Sequence, residues 1–257
     1  MINVVKIGGN VIDNPESLER FLKDFASLKG KKILVHGGGK EATRMSEGMG
    51  IKARMIDGRR VTDRQTLDIV TMVYAGLINK RIVAMLQEYG CDAVGLTGAD
   101  GNVIPAVRRN PVPVDYGHVG DIDESKVSDK FIGDLLNGGH VPVFCAICHD
   151  GKGGLLNCNA DSVAGAVALG ASRVESARLI YCFEKPGVMT DVNDENSVIP
   201  LVTSESFQIL KESGIVDKGM IPKIQNALLA ASKGVAEVRI CNAEALCGEG
   251  GTIVRER

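Results

Sequence analysis

Short apolar runs alternate along this chain with longer stretches in which apolar residues recur at helical spacing. The runs Val4-Val5-Lys6-Ile7 and Ile33-Leu34-Val35 read as buried strands. So do Ala93 to Thr97, Val141 to Ile147, Arg178 to Phe183 and Glu237 to Cys241. Leu18, Phe21, Leu22, Phe25 and Leu28 follow helical spacing behind Asn14-Pro15, a cap with proline at the first helical position, and Gly30 closes that helix. Further helices are expected from Lys40 to about Gly48, from a Thr62 cap through Glu88, and over Asp129 to Asn137, Ser162 to Leu169, Ser204 to Ser213 and Gly219 to Lys233. Asn102 to Arg108 and Gly117 to Ile122 read as strands of a hairpin-rich insert, because Asn110-Pro111-Val112-Pro113 cannot be helical. Thr252 to Val254 is expected as a last strand, at an edge.

Strands and helices alternating in this way predict an α/β fold. The expected architecture is an open, mostly parallel central sheet with helices on both faces, a three-layer αβα sandwich. A soft division near Gly170 to Ser176 gives two lobes sharing one sheet, residues 1–172 and 173–257.

Composition narrows the function classes. A chain of 257 residues with 44% hydrophobic and 24% charged residues is ordinary for a soluble globular protein. A net charge of −2 disfavours a nucleic-acid reader, and the absence of Trp removes the usual stacking platforms. No apolar run approaches the length of a membrane span, and the N-terminus enters a strand with no signal-peptide pattern. Seven scattered cysteines read as reduced thiols of a cytoplasmic protein.

The candidate chemistry sits where strands run into glycine. Lys32 to Lys40, KILVHGGGK, carries an apolar strand into Gly37-Gly38-Gly39, and Lys6-Ile7-Gly8-Gly9 repeats the device. Such turns present backbone N–H groups to an anion, and a following helix dipole favours negative charge there. There is no Walker A sequence, no G-x-G-x-x-G, no G-x-S-x-G elbow and no cysteine–histidine cluster at metal spacing. Cys145 and Cys148 read as two small buried strand residues, and His36 as a core histidine bonded to backbone. Glycine amides, lysines and one aspartate remain: Lys6, Lys223 and Asp161. That inventory suits phosphoryl transfer, which asks for positioning and for cations around the transferring group. Lys6, inside an apolar strand, needs a partner; Asp161 and Lys223 each have a bland reading, as a helix cap and a solvated helix residue.

Taken together these segments resemble the amino acid kinase family over nearly the whole chain. Lys6-Ile7-Gly8-Gly9 and Val35-His36-Gly37-Gly38-Gly39 are similar to its K-[LI]-G-G and V-H-G-G-G. Gly58-Arg59-Arg60-Val61-Thr62, Gly76 to Lys80, Gly117 to Gly120, Asn157-Cys158-Asn159-Ala160-Asp161 and Gly219-Met220-Ile221-Pro222-Lys223 resemble the branch that phosphorylates acylated glutamates. Two segments depart from the pattern. Cys182-Phe183-Glu184-Lys185-Pro186-Gly187 stands where members carry L-[ST]-D-V-x-G, and Pro142 to Cys148 stands where they carry P-V-[IV]-[SA]-x-[IL]-G.

The resemblance implies that the γ-carboxylate of N-acetyl-L-glutamate attacks ATP to give an acyl phosphate, the second step of arginine synthesis. N-succinyl-L-glutamate is the alternative acceptor, and a catalytically silent metabolite-binding module the alternative class. It implies Lys6 and Lys223 as the cations around the phosphoryl group and Asp161 as the residue that holds them. Gly8, Gly9, Gly37 and Gly38 would supply amides to phosphate. Gly38, Gly39, Arg60, Asn157 and Asn159 would bind the acylated amino acid, with Arg60 on its α-carboxylate. Lys6, Phe183, Glu184, Gly187, Gly219, Met220 and Lys223 would line the nucleotide, with Mg²⁺ held mainly by phosphates and no protein ligand to it. It further implies small-molecule substrates alone, no nucleic-acid or membrane partner, and an arginine-insensitive homodimer built across the 64–88 helix.

Overall fold

Every residue of β1 (Ile2–Ile7) is buried, as befits a central parallel strand covered on both faces. The computed structural model describes residues 1–216 and 219–257. After β1 come α1 (Gly9–Asp13), α2 (Pro15–Ser27), β2 (Lys32–His36), α3 (Gly39–Gly48), β3 (Met55–Ile56), β4 (Arg59–Arg60) and α4 (Arg64–Thr71). A π-helical segment, Met72–Ile78, joins α4 to α5 (Asn79–Glu88). Then follow β5 (Ala93–Leu96), β6 (Ala106–Arg108), β7 (Gly120–Ile122), α6 (Asp129–Asn137), β8 (Val141–Cys145), β9 (Ile147–His149), β10 (Leu155–Asn157) and α7 (Ala160–Val174). The chain ends with β11 (Ala177–Phe183), β12 (Leu201–Val202), α8 (Ser204–Glu212), α9 (Ile221–Ser232), β13 (Glu237–Asn242) and β14 (Thr252–Val254).

Among the described residues, one eight-stranded sheet has the order β12-β14-β13-β11-β1-β2-β8-β5. Its pairings are parallel except β13 with β14. The expected division does not interrupt the sheet: β1 pairs with β11 across it, Lys6 opposite Tyr181. Helices α6, α7 and α9 pack together on one side, and α1, α2, α3 and α5 on the other. The three-layer αβα expectation holds.

Local sequence explains most boundaries. The Asn14 side chain accepts from the Ser17 amide, Pro15 opens α2, and Leu18, Phe21, Leu22 and Phe25 form its buried stripe. Helix α7 runs longer than expected, and its small residues bring it close to α6 and the loop before it: a Cβ at Gly170 would lie 2.7 Å from Val127 and 2.9 Å from Ile132.

Four expectations are corrected. The cap of the long helix is Asp63, which accepts from the Thr66 amide, while Thr62 is buried and donates to the Arg60 carbonyl. Asn159, not Asp161, caps α7. The strand expected over Val141 to Ile147 breaks at Ala146, and its continuation leaves the main sheet to pair with β10. β14 is not the edge, because β12 pairs outside it.

The helical stretch 64–88 is long and apolar enough, by length and composition, to cross a membrane. Here Leu67, Val70, Val73, Ile78, Ile82 and Leu86 pack into the core instead.

Candidate active site

The parallel strands β1, β2, β8, β11 and β13 end on the same side of the sheet, and the predicted residues gather at those ends. Lys6 is only 7% exposed. Its ammonium lies 2.6 Å from Oδ1 of Asp161, in the first turn of α7. The partner expected for a lysine inside an apolar strand is therefore present. Lys223, in the first turn of α9, brings its ammonium 3.9 Å from the centre of the Phe183 ring, and the Lys6 ammonium lies 4.9 Å from the same centre. Two cations distant in sequence thus converge on one aromatic side chain at the end of β11.

The glycine turns differ from each other. Gly8 keeps an ordinary backbone (φ −76°, ψ 161°). Its amide is already committed to the Cys182 carbonyl at 3.0 Å, so it is not free for the phosphate role expected of it. Gly9 opens α1, where first-turn amides lack intrahelical acceptors. Gly38 is a true glycine position: φ is +152°, and a Cβ there would lie 2.2 Å from Cδ1 of Ile78. Gly39 opens α3. Gly37 is spaced for Ala160, whose Cβ lies 3.5 Å from a Cβ built there.

A cavity of about 260 Å³ adjoins this turn, lined by Gly38, Gly39, Arg60, Asn157 and Asn159, expected at the acylated amino acid, and by Gly37, expected at phosphate. Arg60 is buried, and its Nη2 donates to the Gly39 carbonyl (2.8 Å) and to Oγ1 of Thr43 (2.7 Å). Its Nη1 is also buried, with no hydrogen-bond acceptor among the described residues. A buried guanidinium nitrogen lacking an acceptor is costly unless an anion completes it. Asn157 donates from Nδ2 to Oγ1 of Thr62 at 3.0 Å. Asn159 lines the cavity, but its side-chain oxygen is spent capping α7, on the Asp161 and Ser162 amides.

Tyr74 and Arg109 also line the cavity, although no motif singled them out. Tyr74 lies in the π-helical segment, which turns it toward the glycine loop; burial raises its hydroxyl pKa, and the nearby Arg60 charge partly offsets that. The one available signal was a tyrosine within an apolar helical stripe. Arg109 is held in an ion pair by Asp121 of β7.

The expected nucleotide residues divide. Gly187 and Met220 line a cavity of about 480 Å³ together with Met189 and Val216. Phe183 and Glu184 line another, of about 440 Å³, on the α2 side. Gly187 is also a packing position, since a Cβ there would lie 2.7 Å from Oγ1 of Thr252. Gly219 precedes α9 in a turn and is exposed.

His36 is fully buried and neutral. Its Nδ1 bonds the Gly37 carbonyl at 2.8 Å, and burial pushes its pKa down to about 4. It is a structural part of the glycine loop, with a second partner, Asn79, besides the backbone.

Known proteins share both sequence and fold with this chain. The family model described as "Amino acid kinase family" matches residues 1–242. A relative from Cytophaga hutchinsonii named acetylglutamate kinase is 52% identical over 95% of this chain and 92% of its own. One of the same name from Phocaeicola vulgatus is 46% identical over 99% and 98%. In fold, the chain resembles the N-acetylglutamate synthase of Neisseria gonorrhoeae, solved with coenzyme A and N-acetyl-glutamate. The TM-score is 0.83 at 21% identity, covering all of this chain and 59% of that one.

Proposed function

This chain belongs to the amino acid kinase family, and on that premise we propose that it transfers the γ-phosphoryl group of ATP to the side-chain carboxylate of N-acetyl-L-glutamate, as a step of arginine biosynthesis. The observation that carries this reading is the convergence of Lys6 and Lys223 on one point, beside a cavity in which Arg60 offers a buried nitrogen still lacking an acceptor.

Each part of the reaction has a residue suited to it. The acceptor is a carboxylate, deprotonated at neutral pH, so the step needs no general base. Arg60 and Asn157 hold the acylated amino acid in the 260 Å³ cavity, with Arg60 on the α-carboxylate and the glycine loop beneath. A γ-carboxylate oxygen forms a bond to the γ-phosphorus of ATP as the bond to the β,γ-bridging oxygen breaks. ADP leaves and a carboxylic–phosphoric anhydride remains. Negative charge spreads over the oxygens of the phosphoryl group in flight, and the two lysine ammoniums stabilise it from the two lobes. Asp161 keeps the Lys6 ammonium aimed.

The nucleotide base and ribose lie over residues 173–257, in the cavity of Gly187 and Met220. Mg²⁺ would neutralise phosphate charge and would be held mainly by phosphate oxygens and water. Asp161 is already paired with Lys6, and the described residues hold no cluster of three or more His, Cys, Asp or Glu suited to a metal. The working assembly in this reading is a homodimer across the 64–88 helix, where Met72 is 54% exposed. The compartment is the cytoplasm, in keeping with seven cysteines that are all free thiols.

The test is ATP turnover with hydroxylamine trapping of the acyl phosphate, with N-acetyl- and N-succinyl-L-glutamate run in parallel. Hydroxamate formed faster from the acetyl acceptor supports the reading. A faster succinyl reaction reassigns the acyl group, and none from either overturns kinase activity in favour of a silent binding module.

A further inference from the structure

The end of β11 departs from the family pattern at Phe183, and the geometry gives that departure a purpose. The Phe183 ring is 6% exposed. It stacks on Tyr181, two residues earlier on the same strand, with ring centres 5.8 Å apart and planes within 5° of parallel. The Tyr181 hydroxyl donates to the backbone carbonyl of Asp161 at 3.0 Å. Asp161 in turn pairs with Lys6. Lys6, Asp161, Tyr181 and Phe183 therefore form a closed circuit of contacts, and Lys223 joins it through the face of the Phe183 ring.

Two ammonium groups meet at this ring, and although Asp161 pairs with Lys6, the remaining repulsion between them is weakly screened in a partly buried site. The negative face of an aromatic ring offsets it, and the attraction strengthens where water is excluded. The ring also sits against the first glycine turn: a Cβ at Gly8 would lie 3.9 Å from Cδ1 of Phe183 and 3.3 Å from the Cys182 carbonyl. A small hydroxyl side chain in place of Phe183 would have no π face to offer either lysine.

We infer that Phe183 is a positioning residue that holds the Lys6 and Lys223 ammoniums against one ring before ATP arrives. This rests on the reading of those lysines as the cations around the transferring phosphoryl. The role proposed is distinct from the nucleotide contact that the resemblance implies, because here Phe183 acts through the lysines.

The experiment compares Phe183→Leu, which keeps apolar bulk without a π face, with Phe183→Tyr, which keeps the face. Phe183→Leu is expected to lower kcat about tenfold or more while KM for the acylated amino acid stays within about twofold. Phe183→Tyr is expected to recover most of that loss. In ligand-free protein carrying ¹³C at the lysine ε carbons, the Lys6 and Lys223 signals should show upfield ring-current shifts. These should vanish in the leucine variant and persist in the tyrosine variant. Wild-type kcat in the leucine variant, an equal loss in both variants, or the absence of ring-current shifts in the wild type would each overturn the proposal. If Phe183→Leu does not fold, Phe183→Met makes the same comparison, and the wild-type shifts decide without any variant. If the wild type shows no turnover, the kinase reading fails while the shifts still judge the clamp.

Discussion

Asn79 donates from Nδ2 to Nε2 of His36 at 3.0 Å, and from the same nitrogen to the Val143 carbonyl at 2.9 Å. The long helix, β2 and β8 are thereby tied together immediately beneath the glycine turn. The contact also fixes the imidazole tautomer: Nδ1–H donates to Gly37, so Nε2 must accept.

A pH dependence of stability follows. His36 is protonated near pH 6.5 in the unfolded chain but only near 4 in the folded one. Between those values the unfolded state binds more protons, so stability is full above about pH 6.5 and falls as pH drops toward 4. The whole loss is about 3 kcal/mol. Urea midpoints from pH 7 to 4 should show this fall in the wild type, and His36→Gln should lack that part of the slope.

Asp161→Asn should cut kcat about a hundredfold, because the Lys6 ammonium loses the anion that aims it. Breaking the pair should also cost about 3 kcal/mol of stability, since both side chains are largely shielded from water. Combining it with Lys6→Met should cost less than the two single losses added, as measured by chemical denaturation. Strict additivity would mean that the pair does not act as a unit.

Lys223→Ala should lower kcat more than it raises KM for either substrate, because the interaction is strongest when the phosphoryl is in flight. Steady-state kinetics over both substrates would show it. A change confined to KM would assign Lys223 to ground-state binding.

Arg60→Lys should raise KM for the acylated amino acid about tenfold or more, with a smaller change in kcat. One guanidinium nitrogen is spent on Gly39 and Thr43 while another waits for an acceptor. A lysine cannot reproduce that fork. An unchanged KM would remove Arg60 from substrate recognition.

Gly38→Ala should destabilise the fold by about 2 kcal/mol or more, through positive φ and collision with Ile78. Adding Ile78→Ala should relieve the collision but not the backbone strain, so thermal melts should show only partial recovery.

What the sequence by itself determined was the alternation of strand and helix, because apolar runs and helical stripes are local signals. It also determined the identity of the charged and glycine positions at the strand ends, because a lysine inside an apolar strand announces that it needs a partner. Helix α6 fell where its pattern placed it, and α2 where its cap and proline placed it. Only the tertiary structure decided which partner Lys6 takes, since Asp161 reaches it through the packing of α7 on the sheet. The π-helical segment that turns Tyr74 to the cavity left no local signature, and neither did the Cys182 carbonyl claiming the Gly8 amide. Phe183 was visible as a departure from a pattern, but its place beneath two ammoniums depends on β1, β11 and α9 meeting in space. Periodicity reports how a segment buries itself; which distant groups then touch depends on strand register and helix packing, which no short stretch of chain encodes.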